Sequence, residues 1–67
     1  MIALTINGER RSFEDSLCVA QLIEQLQLVG KRIALERNGE IVPRGQFTAQ
    51  QLTDGDRLEI VVAVGGG

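Results

Sequence analysis

Hydrophobic and polar positions alternate at both ends of the chain, and a stretch with a different period lies between them. In IALTIN (2–7), Ile2, Leu4 and Ile6 point one way and Ala3, Thr5 and Asn7 the other, the period of a strand with one buried face. Asn7-Gly8 follows, a pair that tolerates positive φ at both positions and fits a tight type I′ turn. ERRSF (9–13) is a weaker returning strand with Arg11 and Phe13 on a common face, so residues 1–14 are expected to form a β-hairpin. SLCVAQLIEQLQL (16–28) then switches to a helical period, with Val19, Leu22, Ile23 and Leu26 at i, i+3, i+4 and i+7. Ser16 or Asp15 is expected to cap this helix and Gly30 to stop it.

RIALERNGEIV (32–42) carries a second hairpin pattern around Asn38-Gly39, and Pro43 ends its returning arm because it has no N–H for a ladder. RGQFTAQQL (44–52) is irregular, with one helical turn expected near Phe47. Asp54-Gly55-Asp56 is a turn that launches the last strand, RLEIVVA (57–63). Burying a large aliphatic side chain stabilises by about 1.5–3 kcal/mol, so the core sets the phase of that strand. Leu58, Ile60 and Val62 are expected to face the helix, and Glu59, Val61 and Ala63 to face away. The order is hairpin, helix, hairpin, strand, and one amphipathic helix covering one face of one sheet makes a two-layer α+β domain. Val61 and Ala63, with Val64 just beyond, then form a small apolar patch on the open sheet face, expected to dock a partner.

Composition narrows the possible functions. The chain has 67 residues, which is one small domain, and 43% of them are apolar, enough for one core. Its net charge of −2 and its two aromatics, Phe13 and Phe47, argue against a nucleic-acid partner, which needs a basic footprint and stacking rings. Arg10-Arg11 and Lys31-Arg32 read as ordinary solvated charges. The single cysteine, Cys18, cannot form an internal disulfide, which fits a reducing cytosol. No apolar run approaches the ~18–20 residues of a membrane span, and MIALTING does not resemble a leader. A cytoplasmic protein without a membrane partner is expected. There is no histidine and no cysteine pair, so neither a metal site nor catalytic residues are expected. Gly65 to Gly67 have no helix after them to hold a phosphate. Cys18 stands near the helix start, where a dipole favours thiolate, but a small buried or capping cysteine is the commoner case and no sulfur relay is assigned to it.

Four stretches together carry a family resemblance: VAQLIEQL (19–26), IALERNGEIVPRGQF (33–47), LTDGDRLEIV (52–61) and VGGG (64–67). In this order, in a chain ending on Gly67, they resemble the bacterial thiamine sulfur carrier family, ThiS. The resemblance implies a ubiquitin-like β-grasp fold (ββαββ), with a mixed sheet and one helix packed across one face. It divides the chain into a domain over 1–63 and a flexible glycine-rich tail over 64–67. It further implies a carrier rather than an enzyme, with no bound cofactor and monomeric when free. An adenylating, E1-like enzyme would use ATP to activate the carboxylate of Gly67, a cysteine persulfide would supply sulfur, and thiazole synthase would draw it off. Gly65 and Gly66 would be the tether, since without Cβ atoms they pass a narrow channel. Residues 64–67 fully extended reach about 13 Å at ~3.3 Å per residue. Pro43 and Arg44 match a VPR segment of the family, and no role is assigned to Arg44. The molybdopterin synthase small subunit is the main rival, but those chains carry aromatic and proline residues before Gly-Gly, and VVAVGGG has neither. A ubiquitin-like modifier conjugated to lysines and an interaction module with an inert tail would also fit a chain of this kind.

Overall fold

The computed structural model describes residues 1–63; Val64, Gly65, Gly66 and Gly67, and with them the expected tail, lie outside the described residues. Five strands and one helix follow in the order β1 (Ile2–Ile6), β2 (Glu9–Phe13), α1 (Val19–Gln25), β3 (Ile33–Arg37), β4 (Glu40–Ile41) and β5 (Arg57–Val62). A single 3-10 turn, Arg44–Gln46, lies between β4 and β5. The strands make one mixed sheet in the order β2-β1-β5-β3-β4, with β5 parallel to β1 and antiparallel to β3. The last strand in sequence is therefore the middle strand in space.

Both Asn-Gly turns form as the sequence predicts. Asn7 and Gly8 have φ of 50° and 84°, and Asn38 and Gly39 of 52° and 88°, positive at both central positions of each hairpin. One face of the sheet carries Ile2, Leu4, Ile6, Leu35, Leu58 and Ile60, all buried against Val19, Leu22 and Ile23 of α1. Leu17, Val42 and Leu52 from the connecting segments close the same core. At seven residues, α1 is far too short to be stable alone, so this packing is what holds it.

The helix is shorter than its hydrophobic period suggested. Cys18, rather than Ser16 or Asp15, is the N-cap, and its N–H donates to Gln21 Oε1 at 2.9 Å. The segment before the helix is instead drawn into pairing with residues 47–52. Leu52 N–H donates to the Leu17 carbonyl, Val19 N–H to that of Gln50 and Ala20 N–H to that of Phe47, each at 2.9 Å. At the other end the helix stops before Gly30. Gln27 takes φ of 61°, its N–H donates to the Glu24 carbonyl, and Leu28 N–H donates to that of Ile23, the bond pair of a Schellman motif. Leu26 still packs against the core beyond the helix, which explains why its i+7 spacing read as helical, and Leu28 packs there as well.

The turn before β5 is built around one buried carboxylate. Asp56 is 5% exposed and accepts four hydrogen bonds. Arg37 Nε at 2.8 Å and Thr53 N–H at 2.9 Å meet Oδ2, while Asn38 Nδ2 at 3.1 Å and Thr53 Oγ1 at 3.0 Å meet Oδ1. Burial opposes ionisation, but the Thr53 N–H, Arg37, Asn38 and the Thr53 hydroxyl together outweigh it and hold the carboxyl below its ordinary value of 3.8. The same turn is sewn to β1. Ala3 N–H donates to Asp54 Oδ1 at 2.7 Å, Gly55 N–H to the Ala3 carbonyl at 2.8 Å, and Thr5 N–H to the Asp56 carbonyl at 3.0 Å. Gly55 needs its φ of 92° to make this approach.

Replacing Asp56→Asn is expected to cost about 1–3 kcal/mol in urea unfolding, because Arg37 loses its charged partner and a donor faces donors. A carboxyl whose folded pKa is depressed contributes stability that is fully present above its unfolded value and is lost as pH falls through the folded one. Acid titration of the wild type below pH 3.8 should therefore show a loss of stability that Asp56→Asn lacks. Gln27→Gly should raise stability by about 1 kcal/mol in the same measurement, by relieving a left-handed conformation at a residue with a Cβ.

Candidate functional site

The family resemblance leads to the expectation that the working part lies beyond the end of β5, and the fold determines how that end is held. Backbone groups of β5 alternate between its two neighbours. On the β3 side the register runs from Arg37 opposite Leu58 to Ile33 opposite Val62, and Ala63 N–H extends it by donating to the Arg32 carbonyl at 2.8 Å. On the β1 side the register covers only Thr5 with Arg57 and Ile6 with Leu58. There the side chain of Asn7 takes over. Its Oδ1 accepts from Ile60 N–H at 2.7 Å and its Nδ2 donates to the Ile60 carbonyl at 3.0 Å, so the amide stands in for one more strand residue. Past Ile60 the strand is paired by β3 alone.

The phase of β5 agrees with the alternation. Leu58 and Ile60 are buried, whereas Val61 is 64% exposed on the open face and Ala63 is exposed as well. Val62 lies on the helix side but at the rim, 36% exposed, so the strand ends with apolar side chains toward both faces. Val64, the third residue expected at this patch, and Gly65, Gly66 and Gly67 lie outside the described residues.

Pairing adds two residues that strand-by-strand reading missed. Ala34 lies directly across from Val61 in the β3 register. Ile41 lies across from Glu36 and is 70% exposed on that same open face. The burial of Val42 next to it is the signal that would have turned Ile41 outward. Glu36 and Glu59 face each other across β3 and β5, so the apolar positions share the face with a carboxylate pair. Apolar side chains rimmed by charge suit contact with another protein. Among the described residues, no group of three or more His, Cys, Asp or Glu side chains is placed to hold a metal ion, and no helix is long and apolar enough to cross a membrane. Cys18 is buried at the helix cap, and Arg44 is exposed at the start of the 3-10 turn.

Comparison with known proteins bears on the family and the fold. A family model described as the ThiS family matches residues 4–67. A thiazole synthase of Paramagnetospirillum magneticum is 45% identical over 64 residues, covering 96% of this chain and 20% of the relative. The chain thus spans about one-fifth of the length of that thiazole synthase. The sulfur carrier protein ThiS of Bacillus subtilis is 35% identical over 65 residues, covering 96% of this chain and 98% of the relative. The crystal structure of a thiamine biosynthesis protein (ThiS) from Geobacter metallireducens superimposes with a TM-score of 0.83 at 33% identity, covering 98% of this chain and all of that one.

Ile60→Ala should cost about 2–5 kcal/mol in urea unfolding, because it opens a cavity under the sheet. Val61→Asp, one residue on and facing out, should cost no more than about 1 kcal/mol. The reverse order would mean that the strand faces the other way.

Proposed function

The chain belongs to the ThiS family, and from that premise we propose that it is a sulfur carrier protein of thiamine biosynthesis whose C-terminal carboxylate, on Gly67, is the reacting group. The observation that supports this most directly is the position of β5. It is the central strand, held by Asn7 up to Ile60, by β3 up to Val62 and by the Arg32 carbonyl at Ala63, so the last described residue is fixed at the end of the middle strand.

The chemistry follows from the weakness of a carboxylate as an electrophile. An adenylating enzyme uses ATP to convert it to an acyl adenylate, releasing pyrophosphate. The terminal sulfur of a cysteine persulfide then attacks the carbonyl. A C–S bond forms, the bond to phosphate breaks and AMP leaves. A second thiol attacks the cysteine sulfur of the resulting acyl disulfide, so that the S–S bond breaks, a new disulfide forms on the donor cysteine and the thiocarboxylate leaves, to be consumed by thiazole synthase. Each partner must reach the carbonyl in a covered site, for which Gly65 and Gly66 are a slender tether. Val61 and Ala63, with Val64, are the handle that the activating enzyme holds. The chain is the shared substrate of these enzymes and supplies no catalytic group.

Incubation with the cognate activating enzyme, ATP and a persulfide donor, followed by intact-mass spectrometry, should show one oxygen exchanged for one sulfur. Removing Gly67 should abolish the exchange and leave the urea midpoint unchanged. No exchange in a mixture that loads the Bacillus subtilis carrier would refute the reading, and lysine-linked adducts would point to a protein modifier instead. Val61→Asp should weaken binding to the activating enzyme, measured by titration calorimetry, without unfolding the domain.

A further inference from the structure

A second surface lies on the helix side, away from the open sheet face. It is a groove of about 890 Å³ between α1, the loop that leads into β3, and the segment around the 3-10 turn. Its floor is apolar, with Ile23 buried and Leu28, Ile33 and Phe47 partly buried, and Val29 stands at its lip, 67% exposed. Lys31, Arg32 and Arg44 line it and are exposed, and Glu24 is the one acidic residue among its described lining. On a chain of net charge −2 this is a local reversal of sign. Lys31 and Arg32 are neighbours in the sequence, and the fold brings Arg44 to them. Among the described residues the one ion pair is Arg37 with Asp56, so none of these three charges is neutralised by a carboxylate there.

The backbone beneath each cation is fixed. Lys31 N–H donates to the Leu28 carbonyl at 3.1 Å, the Arg32 carbonyl accepts from Ala63 N–H at 2.8 Å, and the Arg44 carbonyl accepts from Phe47 N–H at 3.1 Å. Arg32 thereby joins the groove to the end of β5. A free anion would use the charges and leave the apolar floor uncovered, whereas a protein segment with carboxylates flanking an apolar side chain would use both.

We propose that this groove docks an acidic segment of the thiazole synthase, with an apolar residue at its centre, so that the synthase is seated beside the point where β5 ends. The proposal rests on the carrier reading above. The synthase is favoured as the partner because, in the Paramagnetospirillum magneticum relative, this domain and the rest of a thiazole synthase share one polypeptide. The groove is thus a surface separate from the open-face patch assigned to the activating enzyme.

The test is titration calorimetry of the full chain against the purified thiazole synthase of the same organism, at low and high salt. Lys31→Glu combined with Arg32→Glu and Arg44→Glu should weaken binding about tenfold or more and flatten its salt dependence. Arg11→Glu, a charge reversal outside the groove, should leave affinity unchanged. Thermal melting checks that the triple variant folds, and Arg44→Glu alone, expected to weaken binding in the same direction, replaces it if it does not. Wild-type-like binding by the folded variants, or wild-type affinity that is indifferent to salt, would overturn the groove proposal and leave the carrier reading standing. Absence of any binding by the wild-type chain would overturn both.

Discussion

β5 must be inserted between β1 and β3 although it is the last of the described strands, and the rest of the structure depends on how it is held there. Its parallel partner is about fifty residues away in sequence, so the pairing carries a loop-closure cost before it contributes anything. The backbone ladder to β1 is short. Side chains complete it: Asn7 binds both backbone groups of Ile60, and Asp54 reaches Ala3. On the other side Asn38 makes the corresponding link, accepting from Arg57 N–H at 2.9 Å through its side chain and donating its own N–H to the Arg57 carbonyl at 2.8 Å. Asp56 ties Arg37, Asn38 and Thr53 together at the point where β5 begins. The two hairpin turns thus do more than reverse the chain, since their asparagines also fix the register of the central strand.

That insertion gives the surface its organisation. With β5 in the middle, the side chains that alternate along it divide into a helix-side set that completes the core and an open-face set beside Ala34 and Ile41. The strand extends past β1, so its last described residues are paired on one side only. A patch of modest apolar character flanked by carboxylates suits contacts that must form and be released. The proposed function, a carrier visited by more than one enzyme, requires contacts of that kind. The basic groove across α1 provides a second handle reached from a different direction.

Much of this was legible in the chain itself, for identifiable reasons. A strand period of two fixes which side chains are buried, and the phase of Leu58, Ile60 and Val61 followed from it directly. Asn-Gly pairs predict type I′ turns because few other residues accept two positive φ values in succession. The helix boundaries were not legible. Leu26 keeps the apolar spacing of the helix but serves the core from outside it, and Cys18 caps because residues 47–52 capture the segment before it. The role of Asp56 was equally hidden, because an Asp-Gly-Asp turn reads the same whether its second carboxylate faces water or four donors.

The local pattern alone predicted the order of the elements and the buried phase of β1 and β5, and composition showed a chain with no histidine and a single cysteine. The family resemblance, resting on the whole set of stretches, assigned the work to Gly67. Tertiary structure alone decided that the last strand is central, that Ala34 and Ile41 join Val61 on one face, and that Lys31, Arg32 and Arg44 line one groove. The physical reason is that alternation and propensity act over a few residues, whereas strand order and the gathering of distant charges depend on long-range pairing, and no local period encodes which strand pairs with which.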